Sequence, residues 1–439
     1  MAEPFRLGIA GLGTVGASVL RLLADRHDEF AMAAGRPVHA VAVSARDRSR
    51  DRGVDLSGLG WHDDPAALAE RNDLDAVVEL IGGAEGPARA TVTAALAAGK
   101  PVVTANKALL ATHGLELARR AEEAGVALVF EAAVAGGIPI VKTLREALPA
   151  NRLNRVSGIL NGTCNYILTR MEQEGLTFAE CLAEAQRLGY AEADPTFDVG
   201  GFDTAHKLAI LTSLAFGTAV DAEAVYVEGI ASITPLDLTM ADELGYRIKL
   251  LGVATRTEAG IEQRVHPTMV PKSAAIAQVG GVTNAVAVDG SAVGELTLIG
   301  PGAGGNATAS AVLADIVDVA RGIRRPTFGV PVGQLTSPVR APMQRHEGGY
   351  YIRLSVRDRP GAAASIALRM AEQQISLDSI LQRRPKSSPN ASDGTADRVV
   401  PVVLITHATT EAAVRRALDA VLLDGHIVGD PQVIRIEKE

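Results

Sequence analysis

The chain is 439 residues long, 47% hydrophobic and 21% charged, with a formal net charge of −8. That length suits two to four domains with sizeable cores, and the composition excludes global disorder. The acidic balance argues against a nucleic-acid binder held by bulk charge, and two cysteines, Cys164 and Cys181, exclude a disulfide framework and a four-thiolate zinc site. No apolar run is long enough to span a bilayer. A glycine-rich turn sits where a signal peptide needs its apolar core, so the chain reads as cytoplasmic, with neither nucleic-acid nor membrane partners.

The first element expected is a strand, Phe5 to Ala10, followed at once by Gly11-Leu-Gly13-Thr14-Val15-Gly16 and a helical stripe over Ala17 to Ala24. Strand, GxGxxG and helix in that order form a dinucleotide-binding turn: Gly11 for the tight bend, Gly13 for close approach of a pyrophosphate, Gly16 for packing of helix on strand. Strand-like runs follow at Val38 to Val43, Ala76 to Leu80, Val102 to Val103 and Val126 to Phe130, separated by helical stretches near 65–71, 87–98 and 107–124. The alternation predicts a parallel sheet with helices on both faces. The second strand runs out into Ser44, Arg46, Asp47 and Arg48 rather than into an immediate carboxylate. A planar guanidinium at Arg46 suits a 2′-phosphate, which favours NADP over NAD. The other readings are a solvated Arg/Asp loop, or Asp47 as the ribose acceptor, which would reverse the preference to NAD.

Glu131-Ala-Ala-Val134-Ala-Gly136-Gly137-Ile138-Pro139 makes an irregular backbone before a helix from Val141 to Ala147. Such a segment can turn carbonyls inward and, with Glu131, cage a hard cation, although most glycine turns bind nothing. A strand from Val156 then breaks at Asn161-Gly162 and a helix starts near Thr163, so Asn161, Thr163 and Asn165 are either caps or substrate contacts. Cys164 reads as a small packed residue, not a nucleophile.

The most informative stretch runs from Leu188 through Gly189, Glu192, Asp194 and Asp198 into the helix carrying Asp203, His206 and Lys207. On a helical wheel Asp203, Ile210, Leu211 and Leu214 all fall within about 60° of Lys207. The Asp203–Lys207 pair therefore sits inside the apolar stripe instead of on the wet face, where a surface i,i+4 ion pair belongs. A buried lysine is costly unless it is paired or shifted in pKa, and both conditions mark a site. His206 lies on the flank and is left out of the chemistry.

Toward the C-terminus, a helix from Ala309 to Gly322 returns to the nucleotide domain, and prolines 326, 331, 338 and 342 punctuate a linker. Strands at 350–357, 375–382, 399–406 and 432–437 with helices at 362–373 and 411–422 give the order βαββαβ of a ferredoxin-like module. The polar insert Pro385 to Thr395 breaks it.

These segments together resemble the long form of homoserine dehydrogenase with a C-terminal ACT domain. The likeness rests on GLGTVG at 11–16, TANKALLA at 104–111, EAAVAGGIPI at 131–140, GILNGTCNYIL at 158–168, GYAEADPTFDVGGFDTAHKLAIL at 189–211 and GPGAGGNATASAVLADI at 300–316. It departs locally at Ala135, Pro301 and Asn306. The fold class implied is α/β, with a Rossmann-like dinucleotide-binding domain at 1–135 and an α+β catalytic and dimerisation domain at 136–305. A helix at 306–330 returns to the first domain, a linker occupies 331–348, and a ferredoxin-like ACT regulatory domain occupies 349–439. The resemblance implies interconversion of L-homoserine and L-aspartate 4-semialdehyde with NAD(P)(H), a step toward threonine, methionine and isoleucine. Lys207 would be the acid/base group, with Asp203, Glu192, Asp198, Lys107 and the Gly189 backbone around the substrate. Thr14, Val15, Lys107 and Gly304 would meet the cofactor. A monovalent cation, usually sodium, would lie between Glu131 and the carbonyls of Val134, Gly136 and Ile138. The same likeness implies assembly as a homodimer or homotetramer and an ACT domain that either takes threonine as feedback effector, with Asp358 and Gly361 near the ligand, or serves as a dimerisation module with no ligand. The competing readings are another NAD(P)-linked dehydrogenase with an ACT tail, or a nucleotide- and amino-acid-sensing protein without turnover.

Overall fold

The structure is a computed structural model that describes residues 3–382 and 398–437; the polar insert Pro385 to Thr395 lies outside the described residues. Strands β1 (Phe5–Ala10), β2 (Val38–Ser44), β3 (Gly60–His62), β4 (Ala76–Glu79), β5 (Val102–Thr104) and β6 (Leu128–Val129) form a wholly parallel sheet in the order β3-β2-β1-β4-β5-β6. Helices α1 (Thr14–Asp25), α2 (His27–Ala34), α3 (Pro87–Ala97) and α4 (Lys107–Ala124) cross over between them. Two apolar cores, one on each face, bury strand residues such as Leu7, Ile9, Val77, Val78 and Val102 completely. Burial on both faces explains why these strands read as continuous apolar runs. The order reverses between β1 and β4, which opens a crevice at their carboxyl ends. The 126–130 run shrinks to two strand residues, because the chain bends at Phe130 into a 3-10 turn over Glu131–Ala133. The helix expected over 141–147 divides into a short turn, α5 (Ile140–Lys142), and one widened turn over Thr143–Ala147.

The second part of the chain contains β7 (Leu153–Ile159), α6 (Gly162–Glu174), α7 (Phe178–Arg187), α8 (Thr196–Val199), α9 (Phe202–Phe216), β8 (Tyr226–Val227) and α10 (Pro235–Glu243). Strands β9 (Tyr246–Thr257), β10 (Gly260–Pro271), β11 (Thr283–Gly290) and β12 (Gly294–Pro301) follow. Helix α11 (Gly305–Ala320) then returns to pack on α1 and the core of the parallel sheet. Last come β13 (Glu347–Arg357), α12 (Ala362–Glu372), β14 (Leu377–Gln382), β15 (Val399–Thr406), β16 (Thr409–Thr410), α13 (Glu411–Leu423) and β17 (Gln432–Ile436). Apart from the two-residue β16, this is the βαββαβ order, with a core of its own around Tyr350, Ile366, Leu404 and Val414. Among the described residues no helix is long and apolar enough to cross a membrane.

Two features tie this C-terminal module to the middle of the chain. Strand β17 pairs in parallel with β10 at Thr268–Arg435 and Met269–Ile436, so one sheet runs β12-β11-β7-β9-β10-β17-β13-β15-β14. The proline-punctuated stretch between them is docked: Ile261 donates to the Val339 carbonyl (2.8 Å), Ala341 to Ile261 (3.0 Å), and Ala219 to Thr336 (2.9 Å). Proline marks the lack of a regular element, not a lack of contacts.

Candidate active site

The glycine turn closes the carboxyl end of β1. Gly11 has φ +101°, and a Cβ on Gly16 would overlap the Gly11 carbonyl oxygen, so neither position tolerates a side chain. A Cβ on Gly13 would meet nothing within 4 Å. Helix α1 begins there with no side-chain cap and no acid in its first turn, leaving its N–H groups free for an anion. A hollow of about 550 Å³ runs from Gly11 and Gly13 to Ser44, Arg46, Asp47 and Arg50, bounded by Leu80 and Ile81. Leu80 and Ile81 also bound a second cavity of about 260 Å³, lined by Val15, Lys107, Gly136, Lys207, Gly302, Ala303 and Thr308. The two hollows lie side by side along a channel-like line, sharing Leu80 and Ile81 as walls, with Arg46 lining the first and Lys207 the second. Gly304 opens α11 at φ +110°. A Cβ on Gly305 would press on Ser18, so the late glycine loop rests against the first helix.

At the inner end, Lys207 Nζ donates to Asp203 Oδ2 (2.7 Å) and to the Leu160 carbonyl (2.6 Å). Lys107, the first residue of α4, reaches Asp203 Oδ1 at 2.8 Å, so one carboxylate joins the parallel-sheet domain to α9. Asn161 Nδ2 donates to both Asp203 Oδ2 and Asp198 Oδ1, each at 2.9 Å. Helix α9 is buried almost all round, between α4, β7, β9 and β10, rather than being amphipathic. Hence even Ser213, seven residues on from the flanking His206, is buried and donates to the Thr218 carbonyl (2.6 Å).

Burial pulls Lys207 below the ordinary lysine range; Asp203 pushes it back up, and Lys107 opposes that. Burial pulls on Lys107 too, but Asp203, Asp198 and Glu192 outweigh it and leave Lys107 raised. The two lysines differ because the Lys107 side chain is 35% exposed and that of Lys207 is 11% exposed. For Asp203 the desolvation that would raise it is exceeded by the two ammonium groups, which hold it well below the usual carboxylate range. Burial and the charge of Asp203 raise Asp198. Burial pushes the Cys164 thiol far up, and it is engaged with the Asp198 carbonyl (3.2 Å), so it is inert. His206 packs edge-on against Phe197, outside the ion cluster, and burial lowers it.

Lys207, Asp203, Lys107 and Asp198 are thus brought together. The Glu192 side chain is exposed at the rim and acts on Lys107 through space. The Gly189 N–H is spent on the Gln186 carbonyl (3.1 Å) at the end of α7. The sequence reading missed the Leu160 carbonyl and the double donation by Asn161. Its Asn-Gly signal leaves Asn161 as either a cap or a substrate contact, and a cap it is: Asn161 Oδ1 accepts from Cys164 N (2.8 Å).

Beneath the cavity, the Glu131 carboxylate accepts from Val141 N (2.9 Å) and Lys142 N (2.8 Å), while its own N–H donates to Asp315 Oδ2 (2.7 Å). Burial and the Asp315 charge push Glu131 up to about 7. Val134, Gly136 and Ile138 are buried beside it, where Ala135 (φ +55°) and Gly136 (φ +53°) turn the chain through the left-handed region. The Glu131 carboxylate is thus buried, raised by its neighbour Asp315 and set beside irregular backbone, where the charge of a cation would favour its ionised form. Among the described residues no cluster of three His, Cys, Asp or Glu side chains could hold a metal by itself. A hollow of about 520 Å³ at the β10–β17 seam has its charges engaged with one another, Arg155 and Arg264 on Glu437 and His346 on Glu262, and lies away from this channel.

Comparison with known proteins agrees with this geometry. Residues 11–131 match the sequence family described as homoserine dehydrogenase, NAD binding domain, and residues 139–317 match the homoserine dehydrogenase family. The homoserine dehydrogenase of Pseudomonas aeruginosa is 44% identical over 99% of both chains, and that of Mycobacterium tuberculosis is 41% identical over 99% of this chain and 98% of its own. The crystal structure of a homoserine dehydrogenase from Thiobacillus denitrificans superposes with a TM-score of 0.92, at 44% identity and 99% coverage of each chain. A hyperthermophilic archaeal homoserine dehydrogenase in complex with NADPH matches 74% of this chain and all of its own, with a TM-score of 0.64 at 26% identity. A nicotinamide-binding crevice that ends on a buried lysine, matched over nearly its whole length by such relatives, makes this chain an oxidoreductase of the homoserine dehydrogenase family.

Proposed function

We propose that this enzyme interconverts L-homoserine and L-aspartate 4-semialdehyde with NADP(H), on the way to threonine and methionine, with Lys207 as its acid/base. The observation that carries the reading is the Lys207 ammonium, buried, paired with Asp203 and lining a cavity that Val15 of the glycine turn also lines. When bound, the nicotinamide carries the hydride. In the reducing direction Lys207 Nζ donates a proton to the aldehyde oxygen; in oxidation it takes that proton from the hydroxyl. Asp203 and the Leu160 carbonyl hold the ammonium in place. Lys107, fixed on the other oxygen of Asp203, adds positive charge beside an oxygen that gains charge. Asp198 and Glu192 supply carboxylates for the substrate ammonium. Following the absorbance of reduced cofactor with purified protein, homoserine and NADP tests the reading; no homoserine-dependent change would sink it.

NADP is favoured by Arg46, which lines the cofactor hollow beside an Asp47 carboxylate tied through Oδ1 to Ser49 N (2.8 Å) and Ser49 Oγ (2.7 Å). Arg46→Ala should raise KM for NADP about ten-fold or more and change KM for NAD little. Equal effects on both cofactors would remove Arg46 from 2′-phosphate recognition.

Sodium at Glu131, with the carbonyls of Val134, Gly136 and Ile138, gives a second expected result. Glu131 binds a proton more tightly when folded, so its burial costs stability as pH rises from the unfolded carboxyl value toward about 7. A cation offsets that cost only while the carboxylate is ionised. Sodium chloride should therefore raise Tm over choline chloride more at about pH 8 than at about pH 6, and Glu131→Gln should abolish the difference. Equal Tm in both salts at the higher pH would refute the site.

The C-terminal module supports an ACT-type role with threonine as effector, near Gly361 at the start of α12, in an assembly of two or four chains. Calorimetric titration with threonine and sedimentation velocity test these; absent heat and a monomer would overturn them. A cytoplasmic location suits an enzyme drawing on the NADP pool, and cell fractionation tests it.

A further inference from the structure

We propose that Asn161 is a positioning residue for this reaction: its amide fixes the spacing of the Asp198 and Asp203 carboxylates, and thereby where the substrate ammonium and the Lys207 proton are held. The proposal rests on the reading of the site given above and goes beyond it, since that reading gives Asn161 no role and leaves open what sets the spacing of the two carboxylates.

Asn161 is buried, and its side chain makes three contacts of different sign. Oδ1 accepts from Cys164 N at the start of α6 (2.8 Å), while Nδ2 donates to Asp198 Oδ1 and to Asp203 Oδ2, both at 2.9 Å. That pattern settles the orientation of the amide: turned over, it would set an oxygen against two carboxylates and an NH2 against an N–H. Two like charges share the two hydrogens of one neutral group, so neither is neutralised and both are held at a set separation. Lysines alone do not achieve this, because Lys207 and Lys107 both bond Asp203 and neither is hydrogen-bonded to Asp198.

The surrounding turn fixes the same loop at further points. Thr163 Oγ1 donates to the Tyr190 carbonyl (2.6 Å), Cys164 Sγ to the Asp198 carbonyl (3.2 Å), and the Leu160 carbonyl accepts from Lys207 (2.6 Å). The first turn of α6 is thus a mount for the acidic loop and for the lysine at once. Burial and the charge of Asp203 push Asp198 up, and the bond from Asn161 works against both. Without that donor Asp198 would hold a proton to higher pH and lose its grip on an ammonium.

Three variants separate positioning from capping. Asn161→Ser and Asn161→Asp keep a side-chain oxygen for the helix cap but not the pair of donors; Asn161→Ala loses both. Steady-state kinetics of each from the acidic to the alkaline range should show KM for homoserine raised about ten-fold or more with a smaller change in kcat. The acidic limb of kcat/KM should move to higher pH. Cofactor affinity, by fluorescence titration of NADPH, should stay unchanged; the serine variant should melt close to the wild type, and the aspartate variant, which sets a third buried carboxylate against two, should melt lower. If either of those two keeps the wild-type KM and acidic limb, Asn161 is a cap alone and the proposal is wrong. If the wild-type enzyme shows no homoserine-dependent reduction of NADP, the reading beneath it fails and takes the proposal with it.

Discussion

Replacing Lys207 with alanine should lower kcat/KM for homoserine oxidation by about 10³-fold, the scale of a lost general acid/base group. Cofactor affinity should hardly move, because the glycine turn, Ser44 and Arg46 lie at the other end of the channel. The same group sets the pH dependence. Oxidation needs the amine free and reduction needs the ammonium, so the forward rate should rise and the reverse rate fall over one pH range. Burial lowers Lys207 and Asp203 restores only part of that, which puts the midpoint below the ordinary lysine value of about 10.4. It belongs to the coupled cluster of Lys207, Asp203 and Lys107 rather than to one isolated amine. Profiles of kcat in both directions check the sign. A Lys207→Ala enzyme with wild-type turnover would end the mechanism.

Arg435→Ala should cost about 3–5 kcal/mol at the seam between the C-terminal module and β10, the penalty of stranding buried charge. The Arg435 side chain is 2% exposed and bonds Glu411 (2.8 Å) and Glu228 (2.7 Å) while lying over the Tyr226 ring. Removing it leaves Glu411, itself 4% exposed, with the half-exposed Arg415 as its cationic partner. Hydrogen exchange at β10 and β17 should accelerate first, because those amides pair across the seam. Adding Glu411→Gln should recover part of the loss. Unchanged exchange would mean that the cluster contributes nothing to docking.

What was legible in the sequence was local. Gly11, Gly13 and Gly16 announce their turn because each does its work within a few residues, and alternating apolar runs announce a sheet covered on both faces. The i,i+4 spacing of Asp203 and Lys207 inside a leucine stripe gave away a buried ion pair. What stayed hidden depends on partners far along the chain. Asn161 looks like any helix cap, since its carboxylates lie 37 and 42 residues away. Arg435 and Asp237 look like surface charges until Glu228 and Glu411, or Arg353 and Tyr351, are folded against them. Glu192 shows the reverse limit: a carboxylate in the right loop whose side chain stays at the rim.

The parallel pairing of β17 with β10 has a consequence for synthesis. Residues 268 and 269 leave the ribosome long before their partners 435 and 436. Until the last strand emerges, the outer edge of β10 near Thr268 waits without its ladder, and the carboxylates of Glu228 and Glu411 wait without their guanidinium. Maturation of the central sheet therefore waits for β17, and a nascent chain stalled before that strand carries an open edge of the kind that invites mispairing.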